Sequence, residues 1–161
     1  MRKKRIVGVI SDTHGLVDPK ISTLFEGVDH ILHAGDLGNL QVYHELQKLA
    51  PVTAISGNID EGNLPSGFEP QTTVDLYGVR IFMIHILGNP HRLTAEMRKQ
   101  IGTIQPSVLV FGHSHQPFLQ TIGSILFFNP GSAGPQRFSL PRCLGLLEIE
   151  KGQAQGKIIE L

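Results

Sequence analysis

Tryptophan is absent from this chain of 161 residues, tyrosine occurs twice, and there is one cysteine, Cys143. A lone thiol forms no intrachain disulfide and leaves no cysteine cluster for a structural zinc site. Such cysteine usage fits a reducing, cytoplasmic home. Charge is scarce as well: Asp, Glu, Lys and Arg make up 17% of the residues, against a usual ~25%. The 14 basic residues balance the 14 acidic ones, so no global field draws the chain to nucleic acid or anionic lipid. The basic run Arg2-Lys3-Lys4-Arg5 is too short to change that. The apolar run behind it breaks at Ser11-Asp12 with no small-residue cleavage site, so no signal peptide is expected. No apolar stretch approaches the ~18 residues of a membrane span, and no membrane partner is expected. Disorder is excluded too, because 40% of the residues are hydrophobic and the net charge is nil. The length suits one domain over residues 1–161, able to bury roughly 70% of its unfolded surface.

What is present in excess is glycine, 18 residues, and histidine, eight. The apolar runs are short and β-rich. Residues 5–10 (RIVGVI), 30–33 (HILH), 52–55 (VTAI), 80–84 (RIFMI) and 107–111 (SVLVF) read as buried strands. Helical spacing lies between several of them: 20–25 behind Asp18-Pro19, 39–49 with Leu40, Tyr43, Leu46 and Leu49 on one face, and 93–101. Past Pro117 no helical pattern follows; 118–120, 124–128, 143–148 and 157–160 read as antiparallel strands. An α/β front half with a β-rich tail predicts an α/β fold, a two-sheet β-sandwich flanked by helices.

The chemistry gathers behind the first five strands. They are followed in turn by Asp12-Thr13-His14, Gly35-Asp36, Gly57-Asn58, His85 and Gly112-His113-Ser114-His115. Ligands bind outside the carboxyl ends of strands in open α/β sheets, and each of these ends carries a metal-ligand type. Taken singly, each piece has a plainer reading: a turn aspartate, an ordinary turn, a core histidine. Taken together and in order, they point to a metal site. Two carboxylates, an amide and four imidazoles suit borderline divalent ions such as Mn, Ni, Co, Fe or Zn, Mn first among them. Seven ligands exceed the needs of one ion and fit two that share a carboxylate. Two such ions, less Asp12, Asp36 and a bridging hydroxide, leave about one positive charge facing a phosphate.

This ordered set resembles the signature of the calcineurin-like metallophosphoesterase superfamily: D-x-H, G-D, G-N, a lone His, then G-H-x-H. Its small YfcE-like phosphodiesterase branch is the nearest in length and in His33-Ala34-Gly35-Asp36, Gly57-Asn58-x-Asp60 and Asn129-Pro130-Gly131-Ser132. The resemblance spans about residues 6–132. It implies one ion on Asp12, His14, Asp36 and His115, and a second on Asp36, Asn58, His85 and His113, with Asp36 bridging. It further implies a metal-dependent hydrolase of small or nucleotide-like phosphodiesters, working by in-line attack of a metal-bound hydroxide. The alternative it carries is a metal-binding interaction scaffold of the retromer-subunit type, whose mark would be degenerate ligands. Relatives often form dimers, so a homodimer is a possible assembly.

The sequence departs from the family pattern twice. Ile59 stands where many relatives carry a histidine after G-N, and the lone His reads His85-Ile86-Leu87 in place of H-G-H. Without that acid, His91 is the candidate donor to the leaving group. His33 is a candidate for hydrogen bonding near the metals, and Asp60 for orienting a ligand or for a turn. Arg137 and Arg142 are candidates for contact with a substrate phosphate. His30 and His44 read as surface residues, and Cys143 as a core residue.

Overall fold

The computed structural model describes residues 3–161; Met1 and Arg2, which opens the basic run, lie outside the described residues. The elements run β1 (Arg5–Ile10), α1 (Lys20–Leu24), β2 (His30–His33), α2 (Leu40–Gln47), β3 (Val52–Ala54), β4 (Gln71–Leu76), β5 (Val79–Ile84), α3 (Ala95–Ile104), β6 (Val108–Val110), β7 (Phe118–Ile122), β8 (Ile125–Asn129), β9 (Cys143–Glu150) and β10 (Gln153–Glu160). They form two five-stranded sheets, ordered β10-β9-β1-β2-β3 and β4-β5-β6-β8-β7. In the first sheet β1, β2 and β3 run parallel, with β9 and β10 antiparallel on the β1 side; in the second, β5, β6 and β8 run parallel between the antiparallel edges β4 and β7.

Period-two alternation sorts the side chains into layers. Val7, Val9, Leu32 and Ala34 face Ile81, Met83, Val108 and Val110 across the middle of the sandwich. The outer side of the first sheet, with Ile10 and Ile31, is covered by Ile21, Phe25, Val42 and Leu46 from the α1 and α2 region. Phe82, Leu109 and Phe127 on the second sheet pack against Ile101 of α3. The two longer helices start as their caps dictate: Asn39 accepts from the Val42 N–H at 3.2 Å, and Thr94 from Met97 at 3.1 Å. Among the described residues no helix is long and apolar enough to cross a membrane.

Two features differ from the sequence reading. Strand β4 went unread, because its apolar positions are Val74 and Leu76 alone and it forms a half-exposed edge. It turns into β5 through Tyr77-Gly78, both at positive φ, a two-residue hairpin. The tail is not wholly antiparallel: β8 runs parallel to β6, filling the second sheet between β6 and β7.

Candidate metal centre

Parallel pairing brings the ends of β1, β2 and β3 together, and backbone bonds tie the following loops edge to edge. Asp12 N–H donates to Gly35 O, His14 N–H to Asp36 O, and Gly112 N–H to His85 O, each at 3.0 Å. The result is two clusters. In one, Asp12, His14 and His115 each offer a ligand atom within 4.8 Å of the others; in the second, Asp36, His85 and His113 do the same. Asn58 Oδ1 joins the second, 3.1 Å from His85 Nε2 and 3.0 Å from His113 Nδ1. Asp36 Oδ2 stands between the two clusters, 3.3 Å from His85 Nε2 and 3.7 Å from His14 Nε2. All seven residues singled out at the strand ends therefore meet in one place.

Holding them there requires unusual backbone. Of the nine non-glycine residues at positive φ among the described residues, five are Asp12, His14, Asp36, His113 and His115. Such conformations cost of order 1–3 kcal/mol each and persist where the surroundings impose them, as at functional sites. Asp and His tolerate them better than most side chains. The glycines make room. A Cβ at Gly57 would collide with the carboxylate and backbone nitrogen of Asp36, and one at Gly35, at φ +98°, would strike the His85 ring.

The polar atoms fit a cation. Asp12 Oδ2 is satisfied by Ser11 Oγ at 2.6 Å and His113 N–H at 3.1 Å, but Oδ1 is buried with no hydrogen-bond partner. It faces His115 Nε2 at 3.3 Å, and that nitrogen lies 3.2 Å from His14 Nε2. His85 donates through Nδ1 to Ala34 O at 2.7 Å, which leaves Nε2 bare in the neutral ring. Bare nitrogens and carboxylate oxygens at these separations repel unless a proton or a metal ion lies between them. The titration tendencies agree. Burial opposes charge on His85, yet the bond to Asp36, the charge of Asp12 and the Ala34 carbonyl outweigh it and raise its pKa. Burial likewise works against ionised Asp36, but its bonds to His85 and Ile59 hold its pKa below the usual range. His14 is lowered, by burial first and then by nearby Arg137, against the pull of Asp36 and Asp12.

Behind the clusters stands a set of braces. His33 is fully buried: its Nδ1 accepts from Gly35 N–H at 3.2 Å, so Nε2 carries the hydrogen and donates to Thr13 Oγ1 at 2.9 Å. Thr13 passes the chain on to Leu37 O. His33 thus enters neither cluster, and burial holds its pKa down to about 4. Asp60 accepts three backbone N–H bonds, from Leu37, Gly38 and Gly57, at 2.8–3.1 Å. Ile59 contributes its backbone N–H, which donates to Asp36 Oδ1 at 3.0 Å. Ser132 Oγ donates to Asp12 O, and Asn129 Nδ2 to Gly112 O and Ser114 Oγ, so the Asn129–Ser132 loop clamps the two ligand loops together. The Asn129–Ser132 loop was visible as a motif, but the bonds of Thr13, Ser132 and Asn129 were not, since each depends on a partner far away in sequence.

Other candidates fall elsewhere. His91 is exposed, its Nε2 3.2 Å from Gln120 Oε1 on β7, and it takes part in neither cluster. Arg142 is corrected to an internal brace: its guanidinium donates to Gly134 O and Ala133 O and pairs with Asp18 at 2.9 Å. Arg137 stays exposed. His44 is exposed, whereas His30 is half-buried against Thr53 Oγ1 at 2.8 Å. Cys143 is buried in the core.

Comparison with known proteins agrees with this geometry. A profile of the calcineurin-like phosphoesterase superfamily domain matches residues 6–152. The chain is 32% identical to a probable metallophosphoesterase of Methanothermobacter thermautotrophicus, over 96% of its own length and 91% of the relative's. It is 26% identical to a phosphodiesterase of Methanocaldococcus jannaschii, over 96% and 99%. The solved structure of YfcE, a phosphoesterase from E. coli, superposes with TM-score 0.63 at 26% identity, covering 88% of this chain and 87% of that one. Zinc-bound Vps29 from Entamoeba histolytica shares the fold, with TM-score 0.73 at 20% identity and coverage of 96% and 98%. The chain belongs to the calcineurin-like metallophosphoesterase superfamily, in its small YfcE-like branch.

Proposed function

We propose that the protein is a dinuclear metal-dependent phosphodiesterase acting on small or nucleotide-like phosphodiesters. The single observation that carries the reading is the pair of ligand clusters with Asp36 Oδ2 between them. Asp12, His14, Asp36 and His115 would hold one divalent ion, and Asp36, Asn58, His85 and His113 the other. Bound there, the ions supply positive charge for a phosphoryl group and lower the pKa of water toward neutrality. The chain's own part is to keep the ligands rigid and correctly protonated. Ala34 O fixes the His85 tautomer, Ile59 N–H orients Asp36, and Asp60 pins the two loops that carry Asp36 and Asn58. Mixed imidazole, amide and carboxylate ligation accepts Mn, Ni, Co, Fe or Zn, and Mn is the ion taken for the test.

A scaffold of the retromer-subunit type needs no complete ligand set, and the convergence of all seven residues favours the enzyme. The test is hydrolysis of bis(p-nitrophenyl) phosphate by metal-stripped protein as Mn is added. Turnover that rises with metal and vanishes on chelation is the expected result; fully metallated protein that hydrolyses neither diesters nor monoesters would overturn the proposal. An acid role for His91 predicts that His91→Ala slows alkyl leaving groups more than nitrophenyl ones, and equal losses would remove it.

A further inference from the structure

Beside the second cluster opens a cavity of about 600 Å³, within the size range of small-molecule sites. Asn58 and His85 belong both to its wall and to the cluster, so whatever fills it touches the centre. Much of the remaining wall is apolar, with Leu64, Phe68, Ile84 and Ile86. Ile86 is 49% exposed directly after His85, at a position where the family pattern has glycine. Phe68 is set by an edge-on contact with Tyr43 at 5.1 Å between ring centroids. None of the described lining residues is Lys or Arg, and Glu61 adds an acidic group. The other acid, Asp60, is occupied by its three backbone bonds. By contrast, the cation Arg137 acts on His14, in the other cluster.

Resting on the phosphodiesterase reading, we infer that this cavity receives the ester arm that stays on phosphorus, an uncharged nucleoside or aryl group bearing no second phosphate. Its apolar wall gains free energy by covering a planar ring. A further phosphate placed there would lose water, meet no cationic side chain and face Glu61, which disfavours it. The class of substrate is then a diester with a single phosphate. Nucleic-acid strands and polyphosphates, which would carry extra anions into the cavity, are selected against.

The test compares three nitrophenyl diesters on Mn-loaded protein: methyl p-nitrophenyl phosphate, thymidine 5′-(p-nitrophenyl phosphate), and the latter carrying a 3′-phosphate. The thymidine ester is expected to exceed both others in kcat/KM by about tenfold or more. Ile86→Asp should lower kcat/KM for the thymidine ester more than for the methyl ester and so remove the preference, and Glu61→Lys should narrow the penalty of the 3′-phosphate. Similar kcat/KM for all three esters, or an Ile86→Asp variant that still prefers thymidine, would overturn the inference and leave the phosphodiesterase reading standing. If no ester turns over, that reading fails on its own. The cavity is then tested by saturation-transfer NMR of thymidine with metal-free protein: signal lost in Ile86→Asp supports the site, and no signal with the parent protein overturns it.

Discussion

Left-handed backbone at the hairpins and at the candidate metal centre differs in what imposes it. At the hairpins Tyr77-Gly78 and Lys151-Gly152, both turn residues have positive φ, as a two-residue turn between antiparallel strands requires. The demand there is local, and the second residue is glycine. At the metal centre Asp12, His14, Asp36, His113 and His115 adopt the same region at strand ends, where only His14 and His113 lie inside closed turns (Leu16 N–H to Thr13 O, Ser114 N–H to Gly112 O) and no antiparallel hairpin requires it. Packing and the braces behind them impose it, and the return is the convergence of seven candidate ligand side chains. Strain at the turns follows from chain reversal, whereas strain at the strand ends is tied to function.

Four expectations would break or sharpen that contrast. The largest effect is at the shared carboxylate: Asp36→Asn should lower kcat/KM by roughly 10³-fold, the worth of several kcal/mol of charge stabilisation. Circular dichroism of the metal-free variant should show the fold intact; substantial activity with normal metal content would remove the bridging role. Next is pH. In the folded protein His33 titrates at about 4 against 6.5 in the unfolded chain. Between those values the unfolded chain binds a proton that the folded one does not, so stability falls as pH drops from 6.5 to 4. The loss is of order 3 kcal/mol. Urea unfolding of chelated protein should show this slope, and His33→Gln should flatten it; an unchanged slope in the variant would assign it to other groups. Asp60→Asn comes third. It places an amide against three N–H donors and should weaken Mn binding about 10–100-fold by calorimetry, while unaltered affinity would make Asp60 a turn residue only. The smallest effect belongs to the hairpin. Lys151→Gly should leave stability within about 1 kcal/mol of the parent and activity unchanged, because relief of the left-handed residue is offset by unfolded-state entropy.

The same contrast explains what could be read from sequence. The candidate ligands were legible because each lies behind a short strand, in an order that the family shares. Strands β1, β5 and β6 were legible from their β-branched and apolar runs, and β2 from Ile31-Leu32 just ahead of Gly35-Asp36. Strand β4, reading Gln-Thr-Thr-Val-Asp-Leu, was not, since an edge strand buries too little to show a pattern. Nor was the parallel pairing of β6 with β8, because register and direction are settled between segments and not within them. Of the braces, His33 and Asp60 were legible as candidates from their places in the motifs, but their partners were not: Ser132 reaches Asp12 across 120 residues, and His33 reaches Thr13 across 20. Arg142 looked available for a phosphate until its partners Asp18, Ala133 and Gly134 were in view.

The central claim is that two ions share one carboxylate at these strand ends, and anomalous diffraction from Mn-soaked crystals tests it most directly. The account predicts two peaks per chain, one among Asp12, His14 and His115 and the other among Asn58, His85 and His113, both in contact with Asp36. A single peak, or peaks that do not both touch Asp36, would contradict it.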